Sequence, residues 1–96
     1  MTRRFLVVFE QGKENLSGYA PDVPGCGSTG ATLEAMRSNL REALEFHFEG
    51  LAADGDPIPE ALTTSVDFAQ DASPSVERYI VEWLEIRLPE RLAISA

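Results

Sequence analysis

One stretch of the chain has the residue types and spacing for phosphate chemistry. Gly25-Cys26-Gly27-Ser28-Thr29-Gly30 fits the pattern G-x-G-x-x-G, just ahead of a strong helix start at Thr32. In dinucleotide-binding domains such glycines let the backbone approach a pyrophosphate seated on a helix N-terminus. That arrangement needs parallel strands joined through a helix, whereas the elements around residues 25–30 read as an antiparallel meander. The other phosphate loop, G-x-x-x-x-G-K-[ST], needs a lysine that residues 25–32 lack. The glycines are therefore expected to bend a strand into a helix, and no cofactor is expected.

Other chemistry is equally thin. Two-metal hydrolysis needs several carboxylates converging on the ions. Glu10 and Asp22 flank the first strands and Glu82 and Glu85 lie on a late one, which makes no such set. His47 is the single histidine and is expected on the core side of a helix, without a Cys or His companion. Cys26, the single cysteine, reads as a small buried hydrophobe with no histidine near it in sequence. No catalytic residue and no metal ligand is expected, so the chain is not expected to be an enzyme.

The elements that hold these residues read as strand, hairpin, strand, turn, strand, helix, strand. Residues 3–10 (RRFLVVFE) alternate as a strand, with Phe5, Val7 and Phe9 on one face and Leu6 and Val8 on the other. Apolar residues on both faces imply a central strand, or one covered on both sides. Gln11 to Asn15 suits a hairpin loop, and residues 16–20 return as strand two. Gly18 within it marks a bulge or a close backbone approach. Pro24-Gly25 suits a type II turn, because glycine takes the positive φ that the turn needs. Cys26 to Thr29 form the third strand and Gly30 ends it.

Thr32 is the expected helix N-cap, with Glu34 in the first turn where the dipole favours a negative charge. Leu33, Met36, Leu40, Ala43, Leu44, Phe48 and Leu51 recur as one apolar stripe over about 20 residues. Arg37, Arg41, Glu42, Glu45 and Glu49 fall largely on the other side, where Arg41 can reach Glu45. Asp54-Gly55 and then Pro57 and Pro59 stop the helix. Residues 56–75 read as an irregular connection, with one turn of helix expected near Ala69. For the last element a strand over residues 76–88 fits best, with Val76, Ile80, Leu84, Ile86 and Leu88 on one parity. A short helix over residues 75–84 competes, since Val76, Tyr79, Ile80 and Trp83 also match helical spacing. The fold class is α+β: a three-stranded antiparallel meander, one long helix across it, then a fourth strand (β-β-β-α-β).

The chain has 96 residues and a net charge of −8. One domain is expected, with a core small enough that self-association would help. From Glu42 to Glu77 there are acids and no Lys or Arg, and the basic residues do not cluster beyond Arg3-Arg4. Nucleic-acid phosphate would be repelled, and a basic protein is the more natural partner. The plain alternative is that the charge serves solubility. A lone cysteine suits a reducing cytoplasm, and no apolar run is long enough to cross a bilayer.

Gly-Tyr-Ala-Pro-Asp-Val-Pro-Gly-Cys at 18–26, followed by Ser28-Thr29-Gly30-Ala31-Thr32-Leu33-Glu34-Ala35, resembles the HicB antitoxin family. Asn39, Glu42-Ala43-Leu44, Phe48-Glu49-Gly50-Leu51 and Asp56-Pro57-Ile58-Pro59 continue that pattern in order. Gly18, Ala31 and Ala35 depart from it at scaffold positions. The resemblance implies one HicB-like domain over residues 1–96, with a truncated ribonuclease H-like fold. It also implies a partner, a HicA-type toxin that is small, basic and cleaves mRNA, whose RNA-facing surface the antitoxin masks. Glu45, Glu49, Asp54, Asp56 and Glu60 are the expected partner contacts. Tyr79 and Trp83 are expected at the interface of a homodimer or higher homo-oligomer. The alternative is an orphan, stand-alone oligomeric HicB-like domain without a toxin. Leu84 to Leu92 resembles the opening of a ribbon-helix-helix unit. Residues 85–96 are read as its remnant, too short to fold as one, so no direct nucleic-acid binding is expected from this chain alone.

Overall fold

The computed structural model describes residues 1–68 and 73–89. Four strands, β1 (Thr2–Gln11), β2 (Leu16–Tyr19), β3 (Gly27–Gly30) and β4 (Arg78–Arg87), form one sheet in the order β3-β2-β1-β4. Every neighbouring pair is antiparallel. The helix α1 (Leu33–Ala53) lies across one face.

Strand β1 is central, and its two apolar faces are both used. Phe5, Val7 and Phe9 meet Met36, Leu40, Leu44 and Phe48 of α1 in the core, joined by Leu84 and Ile86 of β4. The Phe5 and Phe48 rings sit 5.5 Å apart, tilted by 46°. Each such buried side chain contributes roughly 1.5–3 kcal/mol through removal from water. Leu6 and Val8 are buried on the opposite face. The connection after α1 begins on the core side, where Ile58 and Ala61 pack against the cluster. Asp22 accepts hydrogen bonds from Leu62 N–H at 2.9 Å, Thr63 N–H at 2.8 Å and the Thr63 hydroxyl at 2.7 Å. Further along, the Phe68 ring stacks 4.5 Å from that of Tyr79, which pairs with Glu10 on the Leu6–Val8 side.

The hairpin turns on Lys13 and Glu14, closed by a 3.0 Å bond from Gly12 N–H to Asn15. The third strand begins at Gly27, so Cys26 belongs to the turn before it. The last element is a strand, not the competing helix: ten residues of β4 pair with β1 from Thr2↔Arg87 to Gln11↔Arg78. A helix there would leave that edge of β1 open, and the alternation at Ile80 and Leu84 serves the same core as Phe9 and Phe5 opposite them, with Ile86 paired to the half-buried Arg3. The helical turn expected near Ala69 lies outside the described residues.

Candidate protein-binding face

The glycine stretch is a scaffold corner. Gly25 takes φ +85° in a turn closed from Cys26 N–H to Val23 C=O. A Cβ on Gly30 would stand 2.7 Å from Met36 N and 2.9 Å from its Cα, so the helix backbone fills the space a phosphate would need. Gly18 is a close approach of the same kind: a Cβ there would meet Phe9 Cδ1 at 2.7 Å and Met36 Cε at 3.0 Å. Burial pushes the Cys26 thiol up, which opposes nucleophilic use, and its Sγ lies 3.7 Å from Ala43 C=O. Among the described residues no three His, Cys, Asp or Glu side chains are grouped to hold a metal ion.

What remains is the solvent side of α1. The helix starts where expected, with Ala35 N–H donating to Thr32 Oγ1 at 3.1 Å. Its buried row is Met36, Leu40, Leu44 and Phe48. The outer side carries Glu42, Phe46 and Glu49, all exposed. Phe46 is 78% exposed and stands as a ridge between two shallow grooves. One is lined by Ser38, Arg41, Glu42, Glu45, Glu49 and Arg87, with Phe46 as its wall. The other is bordered by Cys26, Ala43, His47, Gly50 and Asp54. Phe46 was missed by the sequence reading, although an aromatic standing off the apolar stripe is the signal that marks it.

The five expected contact residues divide. Glu49 and Asp54 lie on this face, one in each groove. Asp56 follows in the exposed turn after the helix, and Glu60 lies further on, where neither groove reaches. Glu45 is half-buried and committed within the chain: its carboxylate accepts from Arg87 N–H at 2.9 Å and lies 3.6 Å from the Arg87 guanidinium. Arg41 does not pair with Glu45 as expected; its Nε–H donates to Glu85 C=O at 3.2 Å. Arg37, one turn earlier, makes a two-pronged ion pair with Glu82 at 2.7 and 2.6 Å. That hydrogen bonding holds the Glu82 carboxyl below its usual range and raises the guanidinium. The row Arg37, Arg41, Glu45 thus clamps α1 to β4, because a helix lying over a sheet edge aims its flanking positions at that strand.

Arg3, Arg4, Arg78 and Arg87 lie on β1 and β4, and Arg37 and Arg41 reach β4 from the helix. The expected oligomer residues differ from one another too. Tyr79 is half-buried, stacked on Phe68 and accepting from Ser73 N–H at 2.9 Å, whereas Trp83 is 46% exposed with the Arg4 guanidinium 5.8 Å over its ring.

The last turn of α1 contains no basic residue, and Asp54 caps it with Asp56 close behind. Acids at a helix C-terminus oppose the dipole and cost a few tenths of a kcal/mol each. The acidic end is therefore not explained by the stability of the helix.

The family model for the HicB-like antitoxin of bacterial toxin–antitoxin systems matches residues 5–93. The chain belongs to this family. A solved structure of the antitoxin HicB3 is 26% identical, with TM-score 0.69, over 91% of this chain and 64% of that one. A chain from a HicA3 and HicB3 toxin–antitoxin complex is 25% identical, with TM-score 0.61, over 88% of this chain and 98% of that one. The N-terminal domain of a Burkholderia pseudomallei antitoxin HicB shares the fold at 23% identity, TM-score 0.62, over 88% of this chain and 99% of that one. Among sequence relatives, an uncharacterised 14.9 kDa protein of Haemophilus phage HP1 is 46% identical over 41 residues, 43% of this chain and 31% of its own. A UPF0150 protein of Thermotoga maritima is 39% identical over 44 residues, 46% of this chain and 59% of its own. The chain thus spans less than two thirds of these relatives' lengths. The HicB-like frame accounts for the corner at residues 18–36 as scaffold. No helix among the described residues is long and apolar enough to cross a membrane.

Proposed function

We propose that this HicB-like chain is the antitoxin of a HicA-type pair in the cytoplasm and acts by occlusion rather than by chemistry of its own. The observation that carries this reading is the exposed Phe46, set in an acidic field of Glu42, Glu49, Asp54 and Asp56. A large aromatic in solvent is a natural anchor for a partner, because burying it gains area at little cost in side-chain entropy. The surrounding carboxylates would steer a basic protein and speed its encounter. A cationic partner would also neutralise the carboxylates that oppose the helix dipole at Asp54 and Asp56. A HicA3–HicB3 complex among the similar structures supports the toxin as that partner. Glu60 and Glu45 are assigned to the rim, where Glu45 positions Arg87 more than it meets the partner.

The test is an RNA-cleavage assay with a HicA-type toxin. Stoichiometric chain should abolish cleavage at moderate salt, and high salt should slow association. Cleavage that continues undiminished at a several-fold excess of folded chain would refute the reading.

A further inference from the structure

The edge of β4 is long and unevenly protected. Leu88 N–H donates to Met1 C=O at 2.9 Å, which fixes the parity of the β1–β4 ladder. The even residues of β4 aim their backbone groups at β1, and the odd ones, Val81, Trp83, Glu85 and Arg87 among them, aim theirs outward. Two of these outward groups are occupied from the helix. Arg41 holds Glu85 C=O and Glu45 holds Arg87 N–H. Among the described residues nothing pairs with the outward groups of Val81 and Trp83, whose side chains are 43% and 46% exposed. An open strand edge flanked by apolar side chains is a template for another strand.

We propose that two copies of this chain pair β4 with β4 in antiparallel register about Glu82, and that Arg41 and Glu45 set how far the shared ladder runs. Val81 of each copy then lies opposite Trp83 of the other, and each such pair exchanges two hydrogen bonds. Glu77, just before β4, donates its N–H to Gln11 C=O at 2.7 Å and so faces β1, which leaves the Val81 and Trp83 pairs as the whole of the shared ladder. Glu82 meets its own copy at the axis, each already neutralised by Arg37. β4 itself carries Arg78, Glu82, Glu85 and Arg87, a net charge of zero in a chain of −8. It is a surface where two copies approach without adding acid to acid. The next pairing on either side, Tyr79 with Glu85, meets the Arg41 clamp. This pairing does not rest on the toxin reading, and its test uses the chain alone.

Sedimentation equilibrium from one to one hundred micromolar reads it. The wild-type chain should dimerise. Val81→Pro removes an outward N–H and no bond within the chain, so it should be monomeric with unchanged helix content by circular dichroism. Trp83→Lys, a charge on the open edge, should weaken the dimer about tenfold or more. The pair Arg41→Ala with Glu45→Ala should tighten it about tenfold, because the ladder can lengthen. A clamp that merely supported the fold would loosen the dimer instead, and that result overturns its assigned role. A wild-type monomer at every concentration, or an undiminished dimer in both folded edge variants, overturns the pairing. So does a monomer whose Trp83 fluorescence responds only to RNA or to a basic protein.

Discussion

Replacing Gly30 by alanine puts the scaffold reading of the glycine stretch to a quantitative test. The added Cβ would lie 2.7 Å from Met36 N and 2.9 Å from Met36 Cα. An ordinary contact begins near 3.4 Å, so the first turns of α1 must retreat by 3.4 − 2.7, or 0.7 Å. The obstructing atoms are backbone, and the Met36 side chain beyond them is fully buried, so the shift spreads into the core. Overpacking of this kind costs about 1–3 kcal/mol. A less flexible unfolded chain returns about 0.4–1 kcal/mol. The net loss is about 1–2 kcal/mol, a fall in Tm of roughly 5–15 °C for a domain of this size. Gly50→Ala is the matched control. It lies in α1, is exposed, and a Cβ there meets nothing within 4 Å. It should gain about 0.5–1 kcal/mol from helix propensity and raise Tm by a few degrees. Thermal melts of both variants read the two signs side by side. A Gly30→Ala chain as stable as wild type, with weakened nucleotide binding, would refute the scaffold argument.

Asp22→Ala should destabilise the chain by about 1–3 kcal/mol at neutral pH, since three hydrogen bonds to a carboxylate are lost. Burial raises the Asp22 carboxyl, but the bonds from Thr63 and Leu62 outweigh it and the net shift is downward. A folded value below the unfolded one contributes stability that is complete above the unfolded value and is lost as pH falls through the folded value. Urea unfolding should therefore show the wild-type advantage over Asp22→Ala shrinking on acidification below about pH 4; a gap constant from pH 7 to pH 2 would contradict it. Thr32→Ala should cost about 1 kcal/mol by removing the cap on Ala35 N–H, read from the urea midpoint, and a neutral result would remove the cap from the account.

Most of the frame was legible because its signals are local. The alternation of β1, the Thr32 cap, the apolar stripe from Met36 to Phe48 and the Pro24-Gly25 turn all sit within a few residues of their cause. Gly18 showed itself as an anomaly in a strand, although its neighbours Phe9 and Met36 only the fold could name. The clamp was not legible, since Arg37, Arg41 and Glu45 find partners more than forty residues away. On the helix surface alone the nearest opposite charge to Arg41 is Glu45, and the sheet edge competes better for both. Residues 75–84 satisfied both periodicities, and the open edge of β1 decided between them. At the binding face, the acids were legible as a run of charge. Phe46 became visible only once the buried row was known and it stood outside it.

The central claim is that the outer face of α1 around Phe46 is the occluding surface. Calorimetric titration of a HicA-type toxin with wild type, Phe46→Ala and Glu49→Lys tests it most directly. Both side chains are exposed, so the variants should melt within about 0.5 kcal/mol of wild type. The account predicts at least about tenfold weaker binding for Phe46→Ala, as truncating an aromatic anchor costs about 2 kcal/mol or more. Glu49→Lys should weaken binding further as salt is lowered. Wild-type affinity in both folded variants would contradict the claim.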